Sequence, residues 1–272
     1  MHILLMTDFS NTWSGVAEMK GVLKSADPAL DITDLTHDIR RFDVHQAALT
    51  LKRTLPHWPK DTLALCVVDP GVGTERPLCV ALLASGQYVV TPDNGTLSYM
   101  DVKAVRKIEK TSGGSKVFAG RDVLAKVAGD IASGKTAFEA VGPAYDVKDI
   151  CVCPEALDKP VLGKGYVHGT IPTGYPHYGS LETNISAEDF AGCDFETGDK
   201  LHVLVTYKGA EKYRGVLLYV TTFGDVDCGE ALIYEGSAGM MAIDVNRGLF
   251  LQENNLSFGN GWEIYVSLRP LR

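Results

Sequence analysis

The sequence predicts two domains: an α/β domain with a mixed, largely parallel sheet and flanking helices over residues 1–152, and an all-β barrel or sandwich over 165–272. Three observations predict this. Apolar runs of strand length alternate with helical patterns in the first half, and glycine-punctuated strand patterns fill the second. Between them Cys151 to Lys164 carries two prolines and weak periodicity, so residues 153–164 read as a linker.

In order, His2 to Thr7 reads as a strand, about Val16 to Ser25 as a helix, Asp31 to Leu35 as a strand and about Val44 to Leu55 as a helix. The run Leu63 to Val68 (LALCVV) is apolar throughout, which fits an interior strand covered on both faces. Asp69 then stands at its carboxyl end, and Pro70, Gly71 and Gly73 force a turn that leaves backbone N–H groups approachable. Ligands of open α/β sheets bind at such carboxyl ends. An Asp that only caps the turn is the alternative reading. Strands near Cys79 to Leu83 and Tyr88 to Val90, a segment near Ala104 to Ile108 and a helix from about Arg121 to Ser133 complete the domain. Beyond Gly165, the segments GYVHGTI, LHVLVTY, GVLLYVTTF, GMMAIDV and WEIYVSL read as strands of a small antiparallel barrel or sandwich, with one short helix near Ala187 to Ala191.

Composition narrows the partners. With 26 basic against 34 acidic residues, a net charge of −8, there is no electrostatic footprint for nucleic acid. The longest apolar runs, such as that around Val80 to Ala84, fall short of the roughly 18 residues of a membrane span. MHILLMTDFS lacks the basic region and cleavage site of a signal peptide. Cys66 and Cys79 lie in strand runs and read as small core residues, and CVC at 151–153 has the wrong spacing for a zinc pair. No metal site is predicted, and a reducing cytoplasm is the expected compartment.

MTDF at 6–9, KG at 20–21, THDI at 36–39, FDV at 42–44, VVDPGVGTER at 67–76, PDNG at 92–95, GRD at 120–122, TNI at 183–185 and GSAG at 236–239 occur in order along nearly the whole chain. On these motifs the sequence resembles the S-adenosylmethionine hydroxide adenosyltransferase family, which includes fluorinases and chlorinases. The resemblance implies an α/β domain, a β-barrel and a homotrimer with active sites between the first domain of one subunit and the second of its neighbour. It implies displacement of methionine from C5′ of S-adenosylmethionine, the substrate, with no cofactor.

In the water-using branch an Asp, an Arg and a His position the nucleophile; Asp69 and Arg76 match the first two, and Ala119 stands where the His is expected. His168 or His177 could supply an imidazole instead, or be an ordinary surface or core histidine. Asp8 matches the acid that accepts the ribose hydroxyls. Phe42, Phe118 and Phe223 match walls of the nucleoside pocket, with ordinary core packing as the alternative for each. Ser180 replaces an Asn that reads the adenine edge, and Asn246 falls in the stretch that contacts adenine through its backbone. On the methionine side Ser237 is kept, but Trp13 and Tyr175 replace acids. Two charge-assisted hydrogen bonds lost there would cost roughly 3 to 6 kcal/mol. The implied function is adenosyl transfer from S-adenosylmethionine to water. The alternatives are the same chemistry on another nucleoside or with halide, and nucleoside binding without turnover.

Overall fold

The computed structural model describes residues 1–109 and 117–271. The chain divides into two compact units, Met1–Ala156 and Leu157–Arg272. The first runs β1 (His2–Thr7), α1 (Gly15–Ala26), β2 (Asp31–Thr36), α2 (Val44–Thr54), β3 (Thr62–Val67), β4 (Leu78–Leu83), β5 (Tyr88–Pro92), β6 (Val102–Lys107), α3 (Lys126–Ala132) and β7 (Ala144–Tyr145). Among the described residues these strands form a 7-stranded sheet in the order β2-β1-β3-β5-β4-β6-β7. Pairing is parallel from β2 to β5 and antiparallel from β5 to β7.

Strand side chains alternate between faces, so a strand covered on both sides reads as a near-continuous apolar run. On one face Ile3, Leu5, Leu63 and Leu65 pack with Val16, Met19 and Leu23 of α1. On the other, Leu4, Met6, Ala64 and Cys66 pack with Val44, Ala47 and Leu51 of α2. Burial pushes the Cys66 and Cys79 thiols up to about 12, which leaves them inert packing groups. Because α1 leads to one side of β1 and α2 crosses to the other, the carboxyl ends of β1 and β3 flank the crevice where open sheets bind ligands. Asp43 caps α2 by accepting the Gln46 N–H at 2.8 Å. The expected helix from Arg121 to Ser133 has two parts: a π-helical turn over Gly120–Ala125, then α3.

The second unit contains β8 (Val161–Gly163), β9 (Tyr166–Thr170), β10 (Thr173–Tyr175), β11 (Ser180–Ser186), α4 (Ala187–Ala191), β12 (Lys200–Tyr207), β13 (Ala210–Tyr219), β14 (Ala231–Glu235), β15 (Met240–Val245), α5 (Phe250–Glu253) and β16 (Trp262–Ser267). Its strands make a 9-stranded sheet in the order β10-β11-β15-β14-β13-β12-β16-β9-β8. Of the two predicted forms, barrel and sandwich, this is the barrel-like one, a single sheet curled on itself; β13 and β14 pair in parallel. The curl brings β11 against β9, where Asn184 Oδ1 accepts the Thr170 N–H at 2.8 Å. A Cβ on Gly169 would stand 2.5 Å from that same oxygen, so the close approach needs glycine. Within 153–164, read as a linker, lie a 3₁₀ turn at Pro154–Leu157 and strand β8, which pairs with β9. Among the described residues no helix is long and apolar enough to cross a membrane.

Candidate active site

Adjacent strands β1 and β3 run in register, Thr7 beside Val67, so Asp8, directly after β1, and Asp69, two residues after β3, emerge at the carboxyl end of the sheet. Between them opens a cavity of about 490 Å³, lined by Asp8, Trp13, Phe42, Asp69, Phe118 and Ala119 among others. All of the site residues expected in the first unit line this cavity except Arg76, which is ion-paired to Asp69.

The turn after β3 explains its own glycines. Asp69 Oδ1 accepts the Gly71 N–H at 2.9 Å and also meets Arg76 Nη2, with the Asp69 side chain 10% exposed. A Cβ on Gly71 would lie 2.7 Å from Arg76 Nη1 and would displace the guanidinium from its place over the turn. Gly73 has φ of 84°, the left-handed region that disfavours side chains. Burial works against the charge on Arg76, and the nearby Asp93 partly restores it. Both ends of this loop are tied to the PDNG turn that follows β5. Asn94 Nδ2 donates to Val68 O at 2.8 Å, just before Asp69, and the Asp93 N–H donates to Pro77 O at 2.9 Å, just after Arg76. Asp93 is itself buried and accepts the Cys151 N–H at 2.9 Å. Burial raises its pKa above the usual carboxylate range. Sequence reasoning gave these two residues no role, although the PDNG motif marked their position.

Asp8 is held differently. Its Oδ2 accepts the Phe42 N–H at 2.8 Å. Phe42 sits at φ 67° and is 53% exposed, a strained backbone for a bulky residue and one that presents its ring to the cavity. Arg41 stacks on that ring at 5.1 Å and brings a cation to the cavity wall. A second part of the lining is aromatic: Trp13 lies 5.5 Å from both Phe9 and Phe118 between ring centroids, and is 50% exposed. Gly120 lets the Phe118–Ala119 segment close on β3, since a Cβ there would meet Val67 at 2.6 Å. Arg121 then covers Phe118 at 4.9 Å and pairs with Asp122 and Glu18. Hydrogen bonds from Ser14 and Arg121 hold the Glu18 carboxyl below its usual range.

The remaining expected residues belong to the second unit. Tyr175 and Ser180 face each other across β10 and β11, and the Ser180 hydroxyl donates to Asp244, a 4% exposed carboxylate on β15. Burial lifts the Asp244 carboxyl above its usual range, while Ser180 and the Val245 N–H work against this. Phe223 packs on Tyr234 at 4.9 Å. Asn246 Nδ2 donates to Val226 O at 2.8 Å, and Ser237 lies in the turn closed by the Gly239 N–H to Gly236 O bond. Asp244 was missed by sequence reasoning; only its place two residues before Asn246 hinted at it. Of the two spare histidines, His168 stacks on Tyr265 at 4.0 Å and His177 lies edge-on to Tyr178 at 5.2 Å.

Comparison with known proteins agrees with this architecture. Residues 3–142 match the model of the SAM hydroxide adenosyltransferase N-terminal domain, and residues 176–263 that of the C-terminal domain. The (R)-S-adenosyl-L-methionine hydrolase of Salinispora tropica is 32% identical over 257 residues, 90% of each chain. That of Thermus thermophilus is 29% identical over 90% of this chain and 92% of its own. A fluorinase of Actinoplanes is 26% identical over 94% of this chain and 95% of its own. Among solved structures, an uncharacterised conserved protein from Thermotoga maritima superposes with a TM-score of 0.87 at 31% identity, covering 97% of this chain and 99% of that one. With both domains matched in order over a shared fold, the chain belongs to the SAM hydroxide adenosyltransferase family.

Proposed function

We propose that the protein hydrolyses S-adenosylmethionine to adenosine and methionine. The observation that carries this reading is the Asp69–Arg76 pair, opening into the same cavity that Asp8 lines from the neighbouring strand. A water oxygen attacks C5′ opposite the sulfonium. The C5′–O bond forms as C5′–S breaks, the bonding electrons pass to sulfur, and methionine leaves as a neutral thioether. The leaving group needs no acid, so the protein's tasks are to orient the water and accept its proton. Asp69 takes the proton and releases it to solvent, while Arg76 fixes the carboxylate. Asp8 accepts the ribose hydroxyls, and the Phe9, Trp13, Phe118 and Phe42 rings wall the nucleoside. No cofactor is required, because the sulfonium carries its own leaving group.

A second reading, nucleoside binding without turnover, is favoured by Ala119, which puts a methyl group where an acid–base side chain would assist. Incubation with S-adenosylmethionine separates the two. Wild-type protein is expected to release adenosine and methionine in equal amounts, and Asp69→Asn to lose this activity while still binding adenosine. Saturable adenosine binding with no product above the uncatalysed rate would leave only the second reading. The assembly that accompanies the enzyme reading is a cytoplasmic homotrimer, supported by the family resemblance and by six free cysteines. Light scattering giving a monomer at micromolar concentration would remove the trimer.

A further inference from the structure

Two of the sequence motifs, KG and THDI, acquire no role in the chemistry above, yet the structure joins them behind Asp8. Lys20 Nζ donates to Asp34 Oδ2 at 2.6 Å. Asp34 Oδ1 lies 3.0 Å from Nε2 of His37, a buried imidazole 3% exposed. His37 Nδ1 is 2.9 Å from Thr7 Oγ1, which accepts the Phe9 N–H at 3.2 Å. The His37 carbonyl accepts the Ser10 N–H at 2.8 Å. His37 thus grips the turn around Asp8 twice, by side chain before it and by backbone after it. Phe42, in the same loop as His37, completes the attachment through its N–H to Asp8 Oδ2.

The donor order is set by charge. In the neutral imidazole the Asp34 charge 3.0 Å from Nε2, an ion-pair contact rather than an aligned hydrogen bond, favours the proton on that nitrogen, which leaves Nδ1 to accept from the Thr7 hydroxyl and the Thr7 oxygen to accept from Phe9. Both loops contain a non-glycine residue in the left-handed region, Ser10 at φ 54° and Phe42 at φ 67°. Such backbone persists only where its surroundings over-determine it. The hydrogen bonds between the two loops supply that constraint.

We propose that His37, oriented by the Lys20–Asp34 pair, is a positioning residue that holds Asp8 and Phe42 in their nucleoside-binding arrangement. The inference rests on reading the cavity as a nucleoside site. Removing the Thr7 hydroxyl without changing side-chain shape breaks the grip: Thr7→Val is expected to weaken adenosine binding roughly three- to tenfold, the worth of one ordinary hydrogen bond, whereas Thr7→Ser keeps wild-type affinity. A packing role alone would move the melting temperature of both variants and the affinity of neither.

Nitrogen-15 NMR of His37 provides an independent readout, with the Nε2–H neutral tautomer expected in wild type. His37→Asn, whose amide oxygen falls near the lost Nδ1, is expected to retain more affinity than His37→Ala. Equal adenosine affinity in wild type and a folded Thr7→Val, or an Nδ1–H tautomer, overturns the positioning role while leaving the functional reading intact. Failure of wild type to bind adenosine, with the Nε2–H tautomer present, overturns the nucleoside reading and the role built on it.

Discussion

Asp8 and Asp69 end neighbouring parallel strands and face one cavity, yet the protein holds them by opposite means. Asp69 meets a guanidinium and its own turn N–H. Among the described residues Asp8 receives the backbone N–H of Phe42 and is braced indirectly through hydrogen bonds between its own turn and His37. The contrast teaches a division of labour. On the proposed reading, the carboxylate that aligns the nucleophile and takes its proton is fixed in place by a charged partner. On the same reading, the carboxylate that accepts ribose hydroxyls needs open lone pairs, and its position comes from backbone geometry rather than from a competing cation.

The largest expected effect sharpens the Asp69 side. Ala119 lies on the cavity wall beside the pair, and Ala119→His introduces a group able to share the proton. Adenosine release from S-adenosylmethionine is expected to rise by about a hundredfold to ten-thousandfold, the usual worth of a positioned acid–base group, as read by product chromatography. If Trp13 and Tyr175 limit methionine binding instead, the gain appears only after Trp13→Asp and Tyr175→Asp are added.

The Asp8 side breaks more gently. Asp8→Ala is expected to weaken adenosine binding by about 1.5 to 3 kcal/mol, roughly tenfold to a hundredfold, with the melting temperature little changed. Unaltered calorimetric affinity in the folded variant would take Asp8 out of the site.

The smallest effect concerns a third carboxylate, Asp244, which has a hydroxyl partner and no cation in the bonds it makes to Ser180 and Val245. Its folded pKa is raised, so the native state binds the proton more tightly than the unfolded chain. Its contribution to stability is complete below the unfolded pKa and is lost as pH rises through the folded one. Asp244→Asn should therefore gain in melting temperature relative to wild type between pH 4 and pH 7. A gain of about 2–4 °C corresponds to about 1 kcal/mol in a protein of this size. A constant difference across that range would mean that Asp244 does not titrate as its burial demands.

The same comparison shows where the sequence is legible. LALCVV leading to Asp69 and HILLMT leading to Asp8 declare themselves, because a strand covered on both faces is apolar along its middle and a charged side chain appears only where the chain leaves the sheet. The anchors are harder to read. Asn94 and Asp93 meet the reactive loop, and His37 meets Thr7, only once strands distant in sequence lie side by side. In the second unit β8, β10, β11 and β14 escaped prediction: β8 and β10 are three residues long, β11 buries the polar Ser180, Glu182 and Thr183, and β14 pairs in parallel with β13. Several motifs are joints of the fold rather than chemistry. Thr183 ties β11 to the Met241 carbonyl, Asn184 closes the curl, and Gly120 lets its segment approach β3.

On the proposed reading, water held by Asp69 attacks C5′. This step is tested most directly by running the reaction in ¹⁸O-labelled water and measuring the mass of the adenosine released. One ¹⁸O is expected in the 5′-hydroxyl of the product from wild-type protein, and no product from Asp69→Asn. Unlabelled adenosine, or S-adenosylmethionine that binds and is recovered intact, would contradict it.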